Sequence, residues 1–103
     1  MEWVYKDQTG VIIECKVNSD IDFNSIDTVN FKYKDPDDNI GSWGGQVQDA
    51  TEKIVAVDLG LENTFNVSGV WKVWPYFVMT DNRTIPGIPD EVQCIEEGDA
   101  PPT

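Results

Sequence analysis

The sequence predicts an all-β fold, a sandwich of about seven strands. Nowhere in the 103 residues do apolar positions recur at spacings of three and four over several turns without Gly, Pro or an Asp-Asn cluster intervening, so no helix is legible. Short runs rich in β-branched and aromatic residues follow one another at regular spacing instead. The longest is VWKVWPYFVM, residues 70–79, launched by Ser68-Gly69 and ended by Thr80-Asp81-Asn82.

The predicted strands span residues 3–6, 11–17, 28–34, 43–48, 54–59, 70–79 and 91–96. Between the third and fourth, residues 35–41 (DPDDNIG) combine a proline that presets φ, turn-capping Asp and Asn side chains and a closing glycine, and so predict a hairpin. Residues 18–27 form a longer polar connection holding Ile21, Phe23 and Ile26. These three should plug the open end of the core, with room for one turn of helix. Residues 60–66 form a second crossover, and crossovers of this length are what a Greek-key sandwich requires. The expected domain is residues 1–96, followed by a flexible acidic and Pro-rich tail, 97–103.

Alternation along each strand assigns the core. It comprises Val11, Ile13, Cys15 and Val17; Val29, Phe31 and Tyr33; Trp71, Val73, Phe77 and Met79; and Val92 and Cys94. In residues 54–59 both phases are apolar. Burying Val55, Val57 and Leu59, which leaves Ala56 and Asp58 outside, is the cheaper choice, because the other phase would bury Asp58 unpaired.

Nineteen acidic residues against seven basic ones give a net charge of −12, which argues against nucleic acid and anionic membranes as ligands. No apolar run approaches the length of a membrane span, and no secretory signal opens the chain, so the expectation is a soluble protein made in a cytoplasm. The sequons at Asn66 and Asn82 then carry no weight. In such a compartment Cys15 and Cys94 should be thiols rather than a disulfide.

The absence of histidine removes Ser-His and Cys-His catalysis, and two cysteines alone make no familiar zinc site. Carboxylate pairs are inevitable among so many acids and point to nothing. Gly41, Gly44 and Gly45 do not have the spacing of a phosphate-binding loop. The reading is therefore of a protein with no catalytic residues, no metal and no cofactor. Asp35, Asp37, Asp38 and Asn39 could offer oxygens to calcium, but no distant bidentate glutamate completes a known loop, and a capped turn explains them.

The ordered motifs carry a resemblance. Residues 3–11 (WVYKDQTGV), 31–37 (FKYKDPD) with Trp43 beyond them, and 68–76 (SGVWKVWPY) together resemble a small immunoglobulin-like module of tailed bacteriophage and prophage virion proteins. It is similar to the N-terminal domain of phage baseplate upper proteins. The hairpin here is longer and more acidic than the family's usual Pro-Asp-Gly turn. The resemblance implies an immunoglobulin-like Greek-key sandwich acting as a non-enzymatic virion component, in the baseplate, tail or capsid decoration. Its partners would be other virion proteins and further copies of itself.

The residues themselves suggest where such a protein would dock. Lys72, Trp74, Tyr76 and Val78 alternate with the core positions of their strand, and Lys32 and Lys34 do so on the third. If the two strands share a sheet, its outer face carries three of the seven basic residues around two aromatics, the composition of an interface. Trp43 is added to this candidate interface. The competing reading is a carbohydrate-binding module, with Trp43, Trp74 and Tyr76 as a stacking platform for host surface glycans.

Overall fold

In the computed structural model, which describes residues 2–17 and 20–100, two packed sheets hold nine strands among the described residues. These are β1 (Glu2–Tyr5), β2 (Ile12–Lys16), β3 (Ile26–Lys34), β4 (Ile40–Gly44), β5 (Gln46–Asp49), β6 (Ile54–Asp58), β7 (Gly69–Met79), β8 (Thr84–Pro86) and β9 (Asp90–Ile95). The larger sheet runs β1-β9-β7-β3-β4, with β8 also paired to β7, and the smaller runs β2-β6-β5. The chain crosses between sheets from β1 to β2, β2 to β3, β4 to β5 and β6 to β7, giving the Greek-key sandwich that the sequence predicts.

Two features depart from the predicted strand list. The strand expected at 43–48 is divided: its first part belongs to the larger sheet as β4, and its second to the smaller as β5. Gly45 makes the crossing. Its N–H donates to the Val29 carbonyl at 2.9 Å, and a Cβ there would lie 2.9 Å from Phe31 Cδ1 and 3.1 Å from the Ala56 carbonyl oxygen. Only a glycine lets the backbone pass this close to the core.

The second departure is β8, which pairs antiparallel with the C-terminal half of β7 while β9 pairs with the N-terminal half. The change of partner explains how Pro75 sits in a central strand. The Pro75 carbonyl accepts from Gly87 N–H at 2.7 Å, and its nitrogen faces the same side. There β9 has ended at Val73↔Asp90 and β8 begins only at Tyr76↔Pro86, so no ladder donor is lost.

The core lies between the sheets, with Trp71, Phe31, Phe65, Phe77, Leu59, Val55, Val57 and Cys94 almost fully enclosed. The β6 phase keeps Asp58 exposed, but Ala56, expected outside, is 2% exposed, a small side chain on the middle strand of its sheet. Cys15, Val17 and Tyr33 lie at the margin, half-buried against the cluster. Phe23–Ser25 form a single 3-10 turn whose cap, Asp22, accepts from Asn24 N–H at 3.0 Å and Ser25 Oγ at 3.1 Å. The Phe23 ring closes that end of the core against Phe77, centroids 6.2 Å apart. Of the predicted 18–27 connection, Asn18 and Ser19 lie outside the described residues, as do the last three residues of the predicted tail.

Candidate functional site

The β3–β7 register places the predicted stripe on one solvent face. Asn30 lies opposite Tyr76, Lys32 opposite Trp74 and Lys34 opposite Lys72, while Val29, Phe31 and Tyr33 face Phe77, Pro75 and Val73 on the core side. Paired residues share a face, so this register alone brings the three lysines and two aromatics together. Trp74, Tyr76 and Val78 are half-buried although nothing among the described elements packs over them. The Tyr76 ring is instead covered by a neighbour on β3. Lys32 Nζ lies 3.7 Å from the centroid of the Tyr76 ring, a cation–π contact that holds the ammonium in place.

The charge of the patch is partly offset. Lys34 Nζ lies 3.4 Å from Asp38 Oδ1, an exposed pair of small energetic weight. Lys72 is exposed between Lys34 on one neighbouring strand and Glu91 on the other. The same face continues to the sheet edge through Val70, which lies opposite Gln93, and Trp3, which lies opposite Gln93 on its other side. Trp3 is 39% exposed, and its ring meets Tyr5 edge-on with centroids 5.1 Å apart. Local pattern does not reveal this extension, because β1 joins the sheet by parallel pairing with the most distant strand in the chain.

Trp43 does not belong to this face. It is 8% exposed and lies in the core, stacked on Tyr33 with centroids 4.4 Å apart and meeting Phe65 edge-on at 5.5 Å. Its register partner is Phe31, which is a core position, so Trp43 points inward with it. The hairpin contained that signal. Asp35 N–H donates to the Asn39 carbonyl at 2.9 Å, and counting outward from this closure sets Phe31 against Trp43.

The acidic loop is organised as a turn. Asp35 Oδ1 accepts from the backbone N–H groups of Asp37 and Asn39, both at 2.9 Å, and Oδ2 accepts from Asn39 Nδ2 at 3.2 Å. Its carboxylate is thus occupied in closing the hairpin. Among the described residues no three or more His, Cys, Asp or Glu side chains are grouped so as to hold a metal ion.

Neither cysteine is in a disulfide, and the two differ in exposure. Cys94 is 2% exposed, and its thiol is pushed above the ordinary value of 9.0 by burial first, with the charges of Glu96 and Asp7 adding to the effect. Cys15, at the core margin, is expected to alkylate first in native protein, with Cys94 reacting only on unfolding; mass spectrometry of a timed reaction checks the order. The sign for stability also follows. The unfolded chain releases the Cys94 proton near the ordinary value and the folded chain resists doing so, so this contribution is complete below that pH and falls as the pH rises past it.

No protein-family model and no curated protein matches the chain. Among solved structures, the crystal structure of CopC from Methylosinus trichosporium OB3b is similar, with a TM-score of 0.58 at 10% identity over 96% of this chain and 87% of that one. The likeness shows the fold, a β-sandwich. It also overturns the expected role: the likeness is to CopC and not to a phage protein, so the virion, baseplate, tail and capsid-decoration readings are withdrawn. The glycan-platform alternative is withdrawn with them. Its physical basis fails because Trp43 is buried and Lys32 covers Tyr76.

Proposed function

We propose that the protein is a non-enzymatic binding module whose larger sheet docks, by its outer face, onto the acidic surface of another protein chain, further copies of itself included. The observation that carries this reading is the β3–β7 register, which sets Lys32, Lys34 and Lys72 around Trp74 and Tyr76 on a chain of net charge −12. Aromatics beside long cationic side chains are what interface centres are built from. Lys32 is already held over Tyr76, so it gives up little conformational freedom on binding. A cationic patch on an acidic protein also selects the orientation in which one copy meets another.

The chain itself provides the test. Trp74→Ala combined with Lys72→Glu changes two side chains on the solvent face, so the melting transition should stay close to that of the parent. Salt-sensitive self-association, measured by sedimentation at low ionic strength, should weaken by about thirtyfold or more, the ratio expected of a lost hot spot. Association unchanged in the double variant would overturn the reading.

A further inference from the structure

The smaller sheet ends on β2, whose outer edge carries no strand among the described residues. Its register with β6 fixes which backbone groups point outward. Val17 N–H donates to the Lys53 carbonyl at 2.8 Å and Leu59 N–H to the Val11 carbonyl at 2.9 Å, so the odd-numbered residues of β2 face β6. Ile12, Glu14 and Lys16 therefore turn their N–H and C=O groups to the open edge, where, among the described residues, the Lys16 carbonyl receives a long contact from Cys15 Sγ, 3.9 Å. The opposite edge of the same sheet is blunted, because β5 carries a register shift between Val47 and Asp49. β2 pairs without a break over all five of its residues.

Apolar surface accompanies the open edge. An apolar crevice of about 260 Å³ runs between β2 and the β8–β9 connection, lined by Cys15, Val17, Pro75, Phe77, Ile85 and Ile88. Ile12 is 58% exposed and Ile88 is 88% exposed. Such side chains flanking unpaired backbone are the features by which an added strand is bound.

The charges on β2 name the occupant. When two β2 strands run antiparallel about a two-fold axis, one register sets Glu14 against Lys16 of the second copy and Lys16 against its Glu14. Cys15 then faces its own counterpart at a non-hydrogen-bonded pair. The adjacent registers set Glu14 against Glu14 or Lys16 against Lys16, which is repulsive. We propose that β2 pairs with β2 of a second copy in the charge-matched register, joining two three-stranded sheets into one of six strands. Exposed ion pairs are weak, so they select the register, while the backbone hydrogen bonds and the cover placed over the crevice supply the affinity. The contacts exchanged are also weak: Glu14 accepts from Gln48 Nε2 at 3.1 Å, and Lys16 lies 3.6 Å from Glu52, all at the surface. This interface uses a different sheet from the aromatic face and does not depend on it.

A charge swap tests it. Sedimentation of the full chain at millimolar concentration should show a dimer that weakens about tenfold or more in Lys16→Glu and in Glu14→Lys, as both pairs turn from attraction to repulsion. The double swap Glu14→Lys with Lys16→Glu should recover it. Mild oxidation should link Cys15 to Cys15 in the parent and the double swap, and not in the single variants. Glu14→Pro removes an N–H that points away from β6, so it should fold and lose the Cys15–Cys15 link and the dimer made through β2. A monomeric parent, a dimer retained in both single variants, or a double swap that fails to recover it would overturn the proposal. So would association lost in Trp74→Ala with Lys72→Glu but kept in Lys16→Glu, an outcome that would assign self-association to the aromatic face.

Discussion

Trp71→Ala is expected to lower the free energy of unfolding by about 3–5 kcal/mol, the cost of removing a large aromatic from a packed core. Trp71 is 2% exposed and touches three other rings: Phe65 with centroids 4.8 Å away, Tyr33 at 5.3 Å and Trp43 at 6.5 Å. Its Nε1–H donates to the Val67 carbonyl at 2.8 Å, tying the crossover before β7 to the strand. Truncation opens a cavity and leaves that carbonyl without its donor. A domain of this size has about 5–15 kcal/mol of stability in total, so the loss is a large share of it. Trp71→Phe keeps most of the ring contacts and should cost less than the alanine variant. The urea midpoints of the two variants against the parent measure both effects, and a loss below about 1 kcal/mol in Trp71→Ala would show that the ring cluster is not central to the fold.

Much of this cluster was legible in the sequence, and the part that was not has a physical cause. Trp71, Val73 and Phe77 announced themselves by alternation along an uninterrupted strand, and β6 was phased by the cost of burying Asp58. Phe65 gave no such signal, because it shares a polar crossover with Leu61, which is 80% exposed, and no alternation tells the two apart; the rings around Phe65 bury it. Trp43 was lost for a different reason. Trp43, Gly45 and Val47 keep a period of two across the point where the chain changes sheets, so pattern alone does not reveal the break. β8, with three residues, is too short for periodicity to register. On the candidate face, the lysines and aromatics of β3 and β7 followed from alternation once the two strands were taken as neighbours. The Lys32–Tyr76 contact and the Trp3 extension depend on pairing registers that local sequence does not encode.

Gly69→Ala is expected to cost about 2–4 kcal/mol, from a backbone strained into a region that side chains avoid and from an overpacked contact. Gly69 starts β7 at φ +133°, and a Cβ there would lie 2.7 Å from Pro36 Cγ and 2.9 Å from Pro36 Cβ. Pro36 cannot easily retreat, because the hairpin that carries it is closed by three hydrogen bonds to the Asp35 carboxylate. Gly10 provides the control. It also has positive φ, +71°, but nothing lies within 4 Å of an added Cβ, so Gly10→Ala should cost only about 1 kcal/mol. Combining Gly69→Ala with Pro36→Gly, which removes both the Cβ and the Cγ, should recover the steric part relative to Pro36→Gly alone and leave the backbone part. Urea midpoints decide between these contributions: a Gly69→Ala no worse than Gly10→Ala would remove the steric argument, and full recovery in the double variant would remove the backbone one. The consequence reaches the docking face. Close packing of Gly69 on Pro36 seats the β3–β4 hairpin against the start of β7, beside the register that places Lys34 opposite Lys72 and Lys32 opposite Trp74.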